Sequence, residues 1–454
     1  MNSQSMDGSF TLSSELPQVS QLRQALDQRE LGRALMELIT ELYPLCRSLT
    51  GNGVRQTLSI IGRNVPLQIH EVPSGTQVFD WNVPKEWNIT DAYIKNAKGE
   101  RVVDFRKSNL HVWGYSIPVR ATLSLADLKP HLYTLPEHPD WVPLRTSYYK
   151  PDWGFSLSHN QYLSLDDGEY EVCIDSTLAD GHLTYGEYYL PGDQPDEVLI
   201  STHVCHPSMC NDNLSGIAIS CFLARALTES SRRYSYRFLF IPVQIGSITW
   251  LARNEAIVPR IKHGLVLTAL GDAGFSTYKK SRQGTAEIDR AAVHVLRHSG
   301  LPHEVLDFYP HGYDERQYCS PGFNLPVGNL RRAPSGRFPE YHTSADNLQC
   351  VKPESLSDSY VKCLDILSIL EANKTYQNLN PKCEPQLGKR GLYRMTSDLN
   401  GVGKVKELPV LWVLNQSDGM HSLLDIAEMS GFSFDEIKQA ADSLTACGLV
   451  KVHE

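Results

Sequence analysis

A chain of 454 residues is longer than one hydrophobic core usually supports, so roughly two to four domains are expected. Apolar content of 41% and charged content of 21% describe an ordinary soluble globular protein. Its 43 basic residues against 52 acidic ones give a net charge of −9, the wrong sign for nucleic acid or an anionic membrane as main partner. No run is long and apolar enough to span a bilayer, and the starting MNSQSMDGSF lacks the basic and apolar parts of a signal peptide. A cytoplasmic location is therefore expected. The ten cysteines are scattered without a dense framework, which predicts reduced thiols.

In chain order, Leu31, Leu35, Leu38 and Leu42 recur at helical spacing and predict an amphipathic helix that ends near Tyr43-Pro44. Gly51-Asn52-Gly53 is a turn, 54–61 reads as a short helix, and 66–72 (PLQIHEV) alternates like a strand. Residues 1–73 thus read as the start of an α/β domain. From Ser74 to about Tyr189 the sequence turns to Trp, Tyr, Thr and Pro in short alternating runs such as 101–105 and 170–174. That spacing predicts an inserted, mostly β domain over 74–189. Inside it, 147–155 (SYYKPDWGF) reads as an interface core or as a substrate platform, the former being the commoner use of such aromatics.

Over 190–377 the α/β pattern resumes. Strands are predicted at 198–202, 236–243, 264–270 and 325–327, and helices at 217–227, 248–254, 286–297 and 356–370. Such alternation implies a parallel sheet with helices on both faces. Residues 378–388, with two prolines, read as a linker. Over 388–454, helices at 410–414, 423–429 and 433–447 and a strand at 449–452 make a winged-helix pattern, with Ser433 and Glu436 as a capping box. From Asn415 to Glu454, seven acidic residues face only Lys438 and Lys451, the wrong sign for a phosphate backbone. A protein-contact or dimerisation module, hence a homo-oligomer, is the better expectation.

The densest chemistry lies in 197–216, EVLISTHVCHPSMCNDNLSG. Two imidazoles and a carboxylate leaving a strand, His203, His206 and Asp212, are donors that a borderline metal such as zinc prefers. Open α/β sheets place their sites outside the carboxyl ends of strands. Asp272, just after the 264–270 strand, and His342, in EYHTSADN, would stand at the same edge. Cys205 and Cys210 are also ligand types, but no second CxxC-like pair accompanies them, so buried thiols are expected.

Several longer stretches carry a resemblance: YPLCRSLTGNG (43–53), VPSG (72–75), NLHVWGYS (109–116), DGEYEVCIDS (167–176), HVCHPSMCNDNLSG (203–216), DERQYCSPGFNLPVG (314–328) and YHTSADN (341–347). By these the chain resembles, over nearly its whole length, bacterial aminopeptidase-like proteins. In these a zinc-aminopeptidase fold carries a β insertion and a C-terminal winged helix. The wider group holds two metals bridged by an aspartate, with glutaminyl cyclases as single-zinc relatives. The resemblance implies that Asp212 is the bridging carboxylate, that His203 and Asp272 complete the first metal, and that His342 serves the second. Active relatives carry a Glu-Glu pair, general base then metal ligand, where this chain has Val243 and Gln244. One zinc is accordingly expected, with two as the alternative. The base must come from elsewhere: Glu315 is the first choice, unless an ion pair with Arg316 occupies it, and His206 is the second. Arg331, Arg332 or Arg337, with Tyr341, are candidates to hold a substrate carboxylate. The expected activity is zinc-dependent amide hydrolysis on a small peptide or peptide-like metabolite. A cyclisation or transfer enzyme on the same site, and a catalytically silent metal-binding scaffold, are the alternatives.

Overall fold

The computed structural model describes residues 16–333, 338–392 and 407–453. Helix α1 (Gln28–Leu42) is capped by the Asp27 carboxylate, which accepts from the amides of Arg29 and Glu30. It buries Leu31, Leu35, Leu38 and Leu42, the stripe that their spacing predicts. Helix α2 (Asn52–Ile61) and strand β1 (Gln68–Pro73) follow. The chain then leaves for an antiparallel sheet of β2 (Glu86–Lys95), β3 (Arg101–Asp104), β4 (Val119–Ser124) and β5 (Glu169–Ala179), ordered β3-β2-β5-β4.

The return strand β6 (His182–Leu190) pairs with β1 and with Ser235–Ile241, so it belongs to the large sheet although it falls within the expected insert of 74–189. Most of its residues are buried, because helices cover both of its faces, and the two-residue alternation that marks a surface strand is lost.

The large sheet is completed in chain order. It takes in β7 (Glu197–His203), α3 (Gly216–Thr228), β8 (Ser235–Ile241), α4 (Ile245–Asn254), β9 (Ile261–Leu267) and β10 (Ser276–Lys279). Then come α5 (Glu287–His298), β11 (His303–Leu306), α6 (Glu315–Tyr318), β12 (Val327–Arg331) and α7 (Pro353–Ala372). Strand order is β1-β6-β8-β7-β9-β12-β10-β11. The central strands β8, β7, β9 and β12 are parallel, and β6 and β10 run antiparallel to them, so the sheet is mixed. Helices α1, α3, α5 and α7 bury one face, and α4 and α6 the other. Every residue of β7 and β8 is buried, the physical reason that both read as continuous apolar runs. Parallel packing of these strands brings their carboxyl ends to one edge, where His203 ends β7.

Strand β13 (Thr375–Asn378) leaves α7 and joins a three-stranded sheet with β14 (Asp418–Ser422) and β15 (Val450–Val452). With α8 (Glu407–Gln416), α9 (Leu423–Ser430) and α10 (Phe434–Ala446) these form the winged helix, in which Ser433 and Glu436 make the expected capping box. It docks on α5: Arg290 pairs with Asp425 and Glu428, at 2.5 Å each, and the Phe434 amide donates to His294 Nε2 at 2.9 Å. Among the described residues, no helix is long and apolar enough to cross a membrane.

Burial, with help from the charges of His298 and Arg297, pushes the His294 imidazole from 6.5 down to about 4. Between those values the folded chain binds fewer protons at this site than the unfolded one, so stability falls as pH drops through the window. Protonation also removes the acceptor for the Phe434 amide. The urea midpoint is expected to decline from pH 6.5 to 4, and to decline less in a His294→Gln variant.

Candidate metal centre

The 12 residues between β7 and α3 (204–215) hold their shape through side chains. Asp346 accepts the amides of Cys210 (3.1 Å), Asn211 (2.6 Å) and Asp212 (2.9 Å). Asn213 donates to Thr202 Oγ1 and the Leu267 carbonyl and accepts from the Ala269 amide, tying the loop to the end of β9. Ser215 accepts from the Leu270 amide, and Asn211 from the Gly271 amide. A Cβ at Gly216 would lie 2.4 Å from the Leu267 carbonyl oxygen, so only glycine allows α3 to start this close to β9. The run Asn-Asp-Asn-Leu-Ser-Gly is thus a clasp between two strand ends.

The clasp brings four side chains together. His203 Nε2 lies 3.0 Å from Asp212 Oδ1, and His342 Nε2 lies 3.1 Å from Asp212 Oδ2. His206 Nε2 lies 3.0 Å from His342 Nε2 and 3.8 Å from Asp212 Oδ2. His203, His206 and Asp212 offer donor atoms within 4.8 Å of one another, a set that could hold a metal ion, and His342 adjoins it through Asp212 and His206. Three imidazoles and one carboxylate also match zinc in donor softness.

The electrostatics agree. Burial alone would raise the Asp212 carboxyl, but the neighbouring imidazoles of His206, His203 and His342 hold it well below the usual carboxylate range. Burial pushes the His206 imidazole down to about 3, so the ring is neutral at neutral pH, the form in which histidine binds a metal. Tyr313 stacks on His203 (centroids 5.1 Å) and Tyr341 on His342 (3.8 Å), which fixes both ring planes.

Other expected site residues are placed differently. Asp272 spends its oxygens on Asn211 Nδ2 (2.8 Å) and the Gly274 amide (2.6 Å), which makes it part of the clasp instead of the expected metal ligand. Glu315 is not a base facing the metal position: it forms a buried ion pair with Lys279 at 2.5 Å, on a lysine that also donates to the carbonyls of Tyr309 and His311. Its partner is a lysine on β10 and not Arg316. Arg331 is buried and donates to the Tyr309 hydroxyl, behind Tyr313 and Tyr341. Arg332 clamps Asp358 of α7 at 2.7 Å and the Gly274 carbonyl, and so supports the scaffold. Arg337 lies outside the described residues. The Cys205 and Cys210 thiols are pushed up by burial, Cys205 to about 12, and stay protonated, as buried thiols do.

Two functional carboxylates escaped the sequence reading. Asp346 sits in the same YHTSADN stretch as His342. Burial lifts its carboxyl to about 7 against the pull of the Asn211 and Asp212 amides. Asp314, next to Glu315 in sequence, accepts from the Gln244 amide (2.7 Å) and Ser247 Oγ (2.8 Å) and so anchors the turn after β8. Burial raises its carboxyl too. An acidic residue that grips backbone leaves no periodic signal; only its position beside a motif pointed to either.

Beside the cradle a cavity of about 500 Å³ runs between the large sheet and the β insert. His206 and His342 line it on one side, Trp81, Trp87, Tyr148 and Tyr149 on the other, and Val243 and Gln244 reach into it. The 147–155 cluster divides between the cavity wall and the core of the insert. Tyr148 and Tyr149 line the cavity, while Phe155 is fully buried in the insert and Trp153 stacks on His131.

A mixed sheet with helices on both faces, a cluster of imidazoles and a carboxylate at its carboxyl edge and a C-terminal winged helix make the aminopeptidase-like fold. The chain belongs to the family described as a domain of unknown function, DUF4910, whose model matches residues 36–373; a winged helix-turn-helix model matches 374–452. A Clostridium acetobutylicum protein, named for polysaccharide biosynthesis and an aminopeptidase-like domain, is 56% identical over 93% of this chain and 97% of its own length. The crystal structure of a C. acetobutylicum protein described as a peptidase superposes with a TM-score of 0.91 at 53% identity, covering 96% of this chain and 100% of that one. The zinc aminopeptidase of Bacillus subtilis shares the fold at 14% identity, with a TM-score of 0.55 over 75% of this chain and 94% of its own. An M28 peptidase precursor of Shewanella amazonensis does so at 13% identity, again with a TM-score of 0.55, over 78% and 96%.

Elemental analysis separates cradle from clasp. Asp212→Ala and His342→Ala are expected to lose zinc, and Asp272→Asn to keep it. Tyr341→Ala should weaken zinc affinity by about 10–100-fold through loss of the ring support. Equal zinc in wild type, Asp212→Ala and His342→Ala would refute the assignment.

Proposed function

We propose that this protein is a zinc-dependent amide hydrolase of aminopeptidase type, acting on a small peptide or peptide-like metabolite, with one zinc held by His203, His206, Asp212 and His342. The supporting observation is the grouping of His203, His206 and Asp212 within 4.8 Å of one another, with His342 3.1 Å from Asp212, beside an aromatic cavity. Zinc in that cradle supplies Lewis-acid polarisation of an amide carbonyl. The chain supplies the rest. Asp212 faces all three imidazoles and holds the cradle's shape; Tyr313 and Tyr341 hold the rings; Trp81, Tyr148 and Tyr149 cover a substrate and exclude water. The C. acetobutylicum relative is named for polysaccharide biosynthesis, and an amide borne by a saccharide precursor falls within the peptide-like class. The winged helix serves protein contact, since Asp425 and Glu428 of its acidic surface already face Arg290.

One observation favours a second reading. Val243 and Gln244 line the cavity where the active relatives that this chain resembles carry two glutamates, and no Asp or Glu lines it among the described residues. A cradle without a carboxylate base suits a cyclisation or transfer reaction. Zinc-loaded wild type and Asp212→Ala, assayed on aminoacyl amides and dipeptides and on their N-acetylated forms, decide between the two. Turnover in wild type, lost at least about 100-fold in Asp212→Ala, supports hydrolysis. Bound zinc with no turnover favours the second reading, and a chain without zinc overturns both.

A further inference from the structure

We propose that the cavity beside the cradle takes the anionic end of its substrate, a carboxylate or a phosphate, through Arg145 and Arg47, and not a free ammonium group. The inference rests on the amide-hydrolase reading of the same site and adds the charge class of the substrate.

The residues lining the cavity include two arginines, and no aspartate or glutamate among those described. Arg145 is exposed, lines the cavity, and carries its guanidinium over the rings of Trp113 (4.2 Å) and Tyr133 (4.5 Å). Stacking fixes the plane of that group, and a guanidinium suits a bidentate oxyanion. No carboxylate pairs with it among the described residues.

Arg47 provides an independent observation. It is 1% exposed, its Nη1 donates to the Leu42 carbonyl, and its Nη2 is buried with no hydrogen-bond partner. Burial drags its pKa to about 10, so it stays charged at neutral pH. Two other buried cations are matched by carboxylates, Lys279 by Glu315 and Arg237 by Glu187 and Glu197, whereas Arg331 shares with Arg47 a buried nitrogen without a partner. A buried guanidinium without a counter-ion is unfavourable by itself, and a low-dielectric wall carries its field well. Arg47 lies beside Cys205 and Cys210 of the cradle loop and lines the cavity, so that field falls on the space next to His206. Val243 and Gln244, both uncharged, complete this side of the wall. An ammonium group entering here would meet two guanidinium groups and no carboxylate in the wall itself, where Asp212 lies behind His206 and His342; a carboxylate or phosphate would meet both guanidinium charges favourably. Arg145 makes the direct contact at the wall, and Arg47 sets the potential behind it. The exposed faces of Trp81 and Tyr149 are left to cover the uncharged part of the ligand.

Calorimetry on the zinc-loaded full chain tests this with N-acetyl-leucine, its neutral amide N-acetyl-leucinamide, the cationic leucinamide, and N-acetylglucosamine with and without a 6-phosphate. At least one anion should bind about tenfold or more tightly than its neutral counterpart, with leucinamide the weakest ligand. The leucine pair reads carboxylate and the glucosamine pair reads phosphate. Arg145→Ala should erase the preference while zinc content stays at the wild-type level; Arg47→Met should reduce it, and Arg47→Lys should restore part of it. Leucinamide binding as tightly as the anions, or an anion preference that survives Arg145→Ala unchanged, overturns the proposal. Zinc content and amide turnover are read separately, so an anion preference without turnover refutes hydrolysis and leaves this inference standing.

Discussion

Asp346 takes the amide protons of three successive residues, Cys210, Asn211 and Asp212, on its two oxygens. A row of amides converging on one carboxylate is a strong local anchor, because each buried N–H that lost this acceptor would be left unsatisfied. The grip decides where the Asp212 carboxylate points. His203 is held at the end of a fully buried strand, and His342 arrives four residues before Asp346 on the same loop. The carboxylate that anchors the clasp therefore also delivers the imidazole that faces it.

Around this anchor, the chain separates its charged groups by task. Glu315 with Lys279, and Arg237 with Glu187 and Glu197, neutralise each other inside the protein and hold strands together. Asp272 and Asp314 spend their oxygens on backbone and neighbouring side chains and hold loops at the sheet edge. Asp212 differs: its partners are imidazoles alone, and three ring nitrogens gather round two oxygens. Imidazoles are themselves metal donors, so Asp212 is the candidate ligand among these carboxylates, and those held by amides are scaffold.

The winged helix carries an acidic balance, the wrong sign for a phosphate backbone, and part of that acidity is turned inward, where Asp425 and Glu428 meet Arg290 on α5. The apolar side chains of α9 and α10 continue the core formed by α5 and α7, so the unit is packed onto the large domain as well as paired with it.

The sequence by itself determined the element pattern of the α/β body, because continuous apolar runs and leucine spacing record burial directly, and it determined His203, Asp212 and His342 as partners, because they follow strands that a parallel sheet must bring to one edge. The capping box at Ser433 and the winged helix were legible for a similar reason: each depends on residues close together in the chain. Only the tertiary structure decided which of several plausible carboxylates and cations face the imidazoles of His203, His206 and His342. Asp272 and Asp212 both follow strands, and Glu315 and Asp314 are neighbours; what sorts them is the side of a loop on which each carboxylate lies, set by hydrogen bonds between residues up to 136 positions apart. The assignment of β6 to the large sheet, the placing of His206 beside His342, and the meeting of Arg47 and Arg145 at one cavity have the same origin: each depends on which surfaces the folded chain brings together, and local sequence does not encode that.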